Sequence, residues 1–317
     1  MQRRAQKGQH SKRALGPRAQ RQAPSPMIQL IPIALDVSSF AATSFPTTLI
    51  PITQNGLPAE IQHGFQSSQR VLATPMRLCS LLYGHFSQAS WTQENLCLQG
   101  SMIDPESLQE DALSLVLLMI LKYEKHEVVT RAEMMTCILR SHCAYFPVIF
   151  SRAVDCMQLV FGIDVKEVEP NSHSYILVIT LGLTYDGMLS DVQGMPKTGL
   201  LIVILAIIFM EGNHAPESAV WDILCKMGVC VQQKHDIYGD PRKLITVDFV
   251  QEQYLEYQQV PNSFPARFEF LWGPRAHAET TKVKVLEHWA KFTGCDPRCF
   301  PFLYEEALRD DQQSTHT

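Results

Sequence analysis

ARFEFLWGPRAHAET, Ala266 to Thr280, alternates Phe268, Phe270 and Trp272 with other residues, breaks at Gly273 and Pro274, and resumes in residues that favour a helix. Alternation of period two followed by a Gly-Pro break reads as a strand that ends in a turn. IYGDPRKLIT (Ile237 to Thr246) and VQEQYLEYQQVP (Val250 to Pro261) carry similar strand and helix punctuation just upstream. None of the three segments assembles catalytic groups, so together they point to a binding module. The alternating aromatics either enter the core of their own unit or, with Arg267, Glu269 and Arg275, present side chains to a ligand where Gly273 and Pro274 turn the chain.

Tyr254 to Gln259 and Arg267 to Leu271 can pair as a hairpin wing, preceded by a helix over roughly Thr246 to Tyr254. Two more helices lie upstream. One spans about Gly199 to Met210, and the other runs from Pro216 to Met227, with proline in its first turn and Gly228 just past its end. A last helix, Thr280 to Thr293, carries Val283, Leu286 and Ala290 on one face. The same order occurs earlier in the chain. A helix begins near Asp104 or Ser107, and Thr130 followed three residues later by Glu133 is a capping box that starts a second. Pro147 opens a third helix through Ile149, Ala153, Met157 and Val160, which Gly162 closes. Asp164 to Val168 and Tyr175 to Leu181 then form a hairpin around Pro170, Asn171 and Ser172. Three helices followed by a hairpin is the winged-helix order. The expected fold is therefore mainly α with small β wings (α+β): one winged-helix unit over 107–196, a second over 197–308 and a polar tail over 309–317.

Residues 1–106 differ in kind. The first 35 contain Arg3, Arg4, Lys7, Lys12, Arg13, Arg18 and Arg21 and no acidic residue, and 36–106 are rich in Pro, Ser, Thr and Gln. Such a composition cannot build a core, and a solvated tail is expected. The whole chain has 317 residues, a net charge of -5 and 46% apolar residues, a balance that gives no global attraction for phosphate backbones. Its longest apolar run, LLIVILAIIF from Leu200 to Phe209, falls short of the roughly 20 residues a bilayer span needs and reads as a buried core helix. Nine scattered cysteines with no secretory signal ahead of them are expected to be reduced thiols.

Motifs for chemistry are sparse. Cys225 and Cys230, Cys137 and His142, and Cys295 and Cys299 lack the paired spacing that wraps a tetrahedral zinc. Cys156 with His173 would be a cysteine-protease pair supported by no motif. There is no phosphate-binding glycine loop and no G-x-S-x-G elbow. No active site, metal or cofactor is expected. Nor does either third helix suit DNA, because the first unit offers only Arg152 and the second sets Asp248, Glu252 and Glu256 beside Gln251 and Gln253. The first helix is more informative. Ala112, Leu115 and Met119 form one apolar stripe, while Leu117, Leu118, Ile120 and Leu121 fill the other sides. Either the helix is central or it keeps a face for a partner, and Leu115, Leu118, Met119 and Ile120 are the candidate partner-binding residues, joined by Arg275 near the second wing.

VTRAEMM, YFPVIFSRA, LVFGIDVKEVEP, LGLTYDG, GMPKTGLLIVILAIIFMEG, IYGDPRKLIT, VQEQYLEYQQVP and FEFLWGPRAHAET together resemble the homology domain of the melanoma-associated antigen (MAGE) family, most closely its A subgroup. The resemblance spans roughly Ala112 to Leu308. It implies a non-enzymatic adaptor of tandem winged-helix motifs, active in the nucleus and cytoplasm. It further implies that the domain binds a RING-type E3 ubiquitin ligase and brings protein or peptide substrates to it, with histone deacetylase or transcription factors among further partners and neither specific nucleic acid nor membrane. In such domains adjacent leucines before a Leu-Lys-Tyr dock on the RING protein. Aligned on Leu121, Lys122 and Tyr123, those positions are Met119 and Ile120 here, apolar residues of similar volume. The Ser- and Glu-rich leader expected of the A subgroup has no counterpart before Ser107.

Overall fold

The computed structural model describes residues 105–314 apart from 170, 172, 189–193 and 236. The expectations for the basic start, for the stretch up to Asp104 and for the turn residues Pro170 and Ser172 lie outside the described residues.

Helix α1, Pro105–Glu124, leads into a short strand β1, Val129–Thr130, and helix α2, Arg131–Cys137. Thr130 caps α2 as its spacing to Glu133 implies. Its hydroxyl accepts the Glu133 N–H at 3.2 Å while its own N–H donates to the Glu133 carboxylate at 2.9 Å, so two otherwise free amide donors are satisfied. A 3-10 turn, Arg140–Tyr145, is tied to α1 by the buried carboxylate of Asp111, which lies 2.6 Å from His142 Nδ1. Helix α3, Phe146–Cys156, has Pro147 in its first turn and continues as a π turn, Met157–Phe161. Strands β2, Ile163–Glu169, and β3, Ser174–Ile179, form the wing, with Val165 opposite Leu177.

The second unit repeats that order. Helix α4 is Thr198–Met210, strand β4 is Ala215–Pro216 and helix α5 is Glu217–Lys226. The third helix, α6, joins an α turn Pro241–Lys243, a π turn Leu244–Asp248 and an α turn Phe249–Gln251. Its wing pairs β5, Leu255–Gln259, with β6, Phe268–Trp272, setting Tyr257 opposite Phe270. Both antiparallel sheets have the same arrangement, β1-β3-β2 and β4-β6-β5, so the chain is a tandem of winged-helix units. Helices α7, Pro274–Glu279, α8, Lys282–Thr293, and α9, Pro301–Ser314, complete the described chain. The third helix of the second unit starts at Pro241, ahead of the Thr246 expected from the sequence, because the Asp240 carboxylate accepts the Lys243 N–H at 3.1 Å and Pro241 fits a first turn.

Helix α4 occupies the centre. All of Thr198–Met210 is buried, as the expected core helix should be, and each fully buried Leu, Ile or Val there contributes about 1.5–3 kcal/mol. Its first turn meets the end of α3 without a side chain between them: a Cβ on Gly199 would lie 2.2 Å from the Val160 carbonyl oxygen. Gly162 faces the same contact with φ +69, a backbone region that costs a β-carbon dearly. On another side of α4 the Trp272 indole N–H donates to the Leu205 carbonyl at 2.9 Å. Helix α8 packs on α4, Lys282 sits 5.2 Å from the centre of the Phe209 ring, and the same lysine holds Asp310 of α9 at 2.6 Å. Residues 140–161 are long and apolar enough to cross a bilayer by composition, but their stripe Ile149, Ala153, Cys156, Met157 and Val160 is spent on this core.

The expectation of reduced cysteines is corrected at Cys156, Cys225 and Cys230, each of which is disulfide-bonded. Cys225 and Cys230 are joined by a disulfide, while Cys137, Cys143, Cys295 and Cys299 are free. At the end of α5 the chain folds back through Met227 and Gly228 and brings the two Cα atoms to 4.6 Å, inside bridging range. Spacing alone does not reveal that turn.

Candidate functional site: a polar lock at the junction of the two units

After β3 the chain runs through Thr184, Tyr185 and Asp186 on its way to the second unit. Asp186 anchors this segment locally, accepting the Tyr123 hydroxyl at 2.8 Å and the Met188 N–H at 2.9 Å, while its carbonyl accepts the Lys197 N–H at 2.7 Å. Tyr185 lies between units, 6.2 Å from the Phe249 ring and 5.9 Å from the Tyr254 ring. Burial raises its hydroxyl pKa above the usual phenol value, and the nearby carboxylates of Asp248, Glu252 and Asp186 push it further the same way.

Thr184 is the point of contact. Its N–H and hydroxyl both donate to the Glu279 carboxylate, at 2.9 and 2.6 Å, and Tyr254 donates to that same group at 2.5 Å. Arg275 completes the cluster by spending each arm of its guanidinium. Nε donates to Glu279 at 2.8 Å, Nη1 donates to Glu252 and Nη2 donates to the Thr184 hydroxyl oxygen at 2.8 Å, with the cation 4.6 Å from the centre of the Tyr254 ring. Burial would raise the Glu279 pKa, but the hydrogen bonds from Thr184, Tyr254 and Arg275 outweigh it and hold the carboxyl below its usual range. The backbone presets this geometry. Gly273 donates its N–H to the Tyr254 carbonyl at 2.8 Å, and a Cβ there would sit 2.2 Å from the Gln253 oxygen, so only glycine allows the turn that aims Arg275 inward.

Of the candidate partner residues, Arg275 is therefore the hub of an internal lock, with a side chain 30% exposed. Leu115, Leu118, Met119 and Ile120 are all buried, where α1 packs on α2, α3 and β3. The apolar surface beyond one stripe makes α1 a central helix, and a partner reaching those four residues would first have to uncover them. Leu121 alone of that group is half-buried. The aromatic alternation in β6 resolves toward the core: Phe270 and Trp272 are buried and Phe268 stacks on Tyr257 at 5.1 Å. Arg267 is exposed on the wing, and Glu269 accepts a hydrogen bond from Gln258 at 2.9 Å. Cys156 and His173 form no catalytic pair: the first is buried in α3 and disulfide-bonded, and the second is exposed beside Glu167. Among the described residues no group of three His, Cys, Asp or Glu is placed to hold a metal. Nothing local in the chain marks Thr184, Tyr185, Glu252, Tyr254 and Glu279 as one cluster, since Thr184 and Arg275 are 91 positions apart.

Two winged-helix units built round one shared helix, with a polar lock at their seam, define a tandem winged-helix protein. Residues 115–283 match the MAGE homology domain, and the chain belongs to the MAGE family. It is 48% identical over 274 residues to melanoma-associated antigen 10 of Homo sapiens, covering 84% of this chain and 74% of that one. Against melanoma-associated antigen 8 of Homo sapiens the identity is 43% over 312 residues, 97% of this chain and 98% of that one. Among solved structures, a chain of the Nse1-Nse3-Nse4 complex shares 36% identity over 65% of this chain and 100% of its own length, at a TM-score of 0.35 that is too loose to place any side chain.

Proposed function

We propose that this chain is a non-enzymatic adaptor of the nucleus and cytoplasm that binds a RING-type E3 ubiquitin ligase and presents protein or peptide substrates to it. The observation that carries the reading is the match to the MAGE homology domain, which extends from α1 into α8 and so takes in both units and the seam between them. The seam suits peptide recognition. A peptide laid on the seam would meet the exposed Thr184, the Arg275–Glu252 pair and the half-buried ring of Tyr185, and would bond to Thr184 or Arg275 by exchanging the bonds they make within the lock. The third helix of the second unit begins earlier than its sequence spacing suggests, so it carries Arg242 and Lys243 beside Asp248, while Glu252, paired with Arg275, and Glu256 lie past its end. It is not the acidic face expected from the sequence, and the choice of protein over duplex DNA rests on the family match.

The test is affinity purification of the full chain against a panel of RING ligases, run beside Leu121→Glu, a change on the half-buried side of α1 next to Ile120. Capture of a ligase by the native chain, weakened by Leu121→Glu while the thermal melt is kept, supports the proposal. Failure to capture any RING ligase would sink it.

A further inference from the structure

The disulfide between Cys225 and Cys230 lies where α5 ends, and the segment beyond it is a strap that crosses to the other unit. Cys225 is exposed and Cys230 half-buried, so the pair is open to small reagents. Behind it the backbone turns tightly: Gly228 donates to the Cys225 carbonyl at 3.0 Å and Val229 to the Leu224 carbonyl at 2.8 Å. From there the described residues form no regular helix until Pro241, yet Val229, Ile237 and Tyr238 enter the core. His235 and Gly239 exchange backbone hydrogen bonds at 2.6 and 2.7 Å and present Tyr238, whose hydroxyl donates to the Val160 carbonyl of the first unit at 3.3 Å. That carbonyl belongs to the π turn against which Gly199 packs. The bridge thus pins the root of a strap whose far end holds the seam.

We propose that Cys225 and Cys230 are a reversible oxidative modification site, closed by a hydroperoxide and reopened by a dithiol, whose state sets how firmly the 229–239 strap is held against the first unit. In the closing step one thiolate attacks the peroxide O–O bond and becomes a sulfenic acid as water leaves. The second thiolate then displaces water from that sulfur to form the S–S bond, so two thiols and one hydrogen peroxide give one disulfide and two waters, with two electrons passing from sulfur to oxygen. Reopening is thiol–disulfide exchange, in which an incoming dithiol breaks the S–S bond through a mixed disulfide and leaves as its own disulfide. An exposed bridge that closes so short a loop is of the labile kind, suited to switching. The proposal does not depend on ligase binding.

The experiment takes the full chain through reduction with dithiothreitol, removal of reductant, equimolar hydrogen peroxide and reduction again, with peptide mapping after alkylation and backbone hydrogen exchange at each stage. The expected result is a Cys225–Cys230 bridge formed by peroxide, exchange across 229–239 slowed by about tenfold, and recovery on reduction. Cys225→Ser with Cys230→Ser should match the reduced chain and ignore peroxide. The cycle on the native chain stands alone should that variant not fold. The proposal is overturned if peroxide leaves both thiols open to alkylation, if the bridge forms and exchange in the strap is unchanged, or if the folded double variant still responds.

Discussion

At Gly199 there is no room for even one methyl group, since its Cβ would meet the Val160 carbonyl oxygen at 2.2 Å and neither backbone can yield without moving a helix. Gly199→Ala should therefore destabilise the chain by about 1–3 kcal/mol or more, read from the urea midpoint, and an unchanged midpoint would mean that α4 can be shifted freely. His288 of α8 makes a different kind of demand. It is buried, its Nε2 has no hydrogen-bond partner, and burial aided by Lys291 pushes its pKa from 6.5 down to about 4, with Asp164 pulling weakly the other way. In the unfolded chain the ring takes its proton near 6.5, so between these values the unfolded state holds more protons than the folded one. The stability present above 6.5 is then lost progressively as pH falls toward 4, by about 3 kcal/mol in total. Replacing His288 with Leu should flatten that part of the stability–pH curve, and an equal slope in both proteins would assign it to other groups.

Among the elements, those closed by local chemistry are legible in the sequence. The capping box at Thr130, the proline in the first turn of α3 and the two wings all lie close to where residue spacing puts them, because each depends on neighbours a few positions away. The start of α6 lies earlier than apolar spacing places it, although Asp240 and Pro241 carry the signal of a capped first turn, since the periodic residues gather after Leu244. Helix α1 shows the deeper limit. Periodicity reveals how much apolar surface a helix carries and not what covers it, so the same residues serve equally as an anchor for a partner or as the middle of a core. The lock at the seam is invisible for the same reason, being made between residues far apart in the chain. For α1 the burial can be measured: Met119→Ala should cost about 2–5 kcal/mol of stability, as truncation in a packed interior does, whereas a melt left untouched would return Met119 to the surface.

In the molecule as a whole, the seam combines an apolar part, α4 with the end of α3, and a polar part, the cluster around Arg275 and Glu279. A double-mutant cycle of Arg275→Ala and Glu279→Ala should return a coupling of about 0.5–3 kcal/mol, because both side chains share Thr184, and strict additivity would show that the two act separately. Since α4 is buried on every side and borders both units, neither can lose it and keep its own interior dry, so the pair should unfold as one. The bond from the Trp272 indole to the Leu205 carbonyl gives this a spectroscopic meaning. Indole emission moves to longer wavelength when the ring meets water, and this ring is seated by α4 itself, so once the chain's other three tryptophans are replaced by phenylalanine its glow becomes a lamp for the moment at which the central helix is displaced.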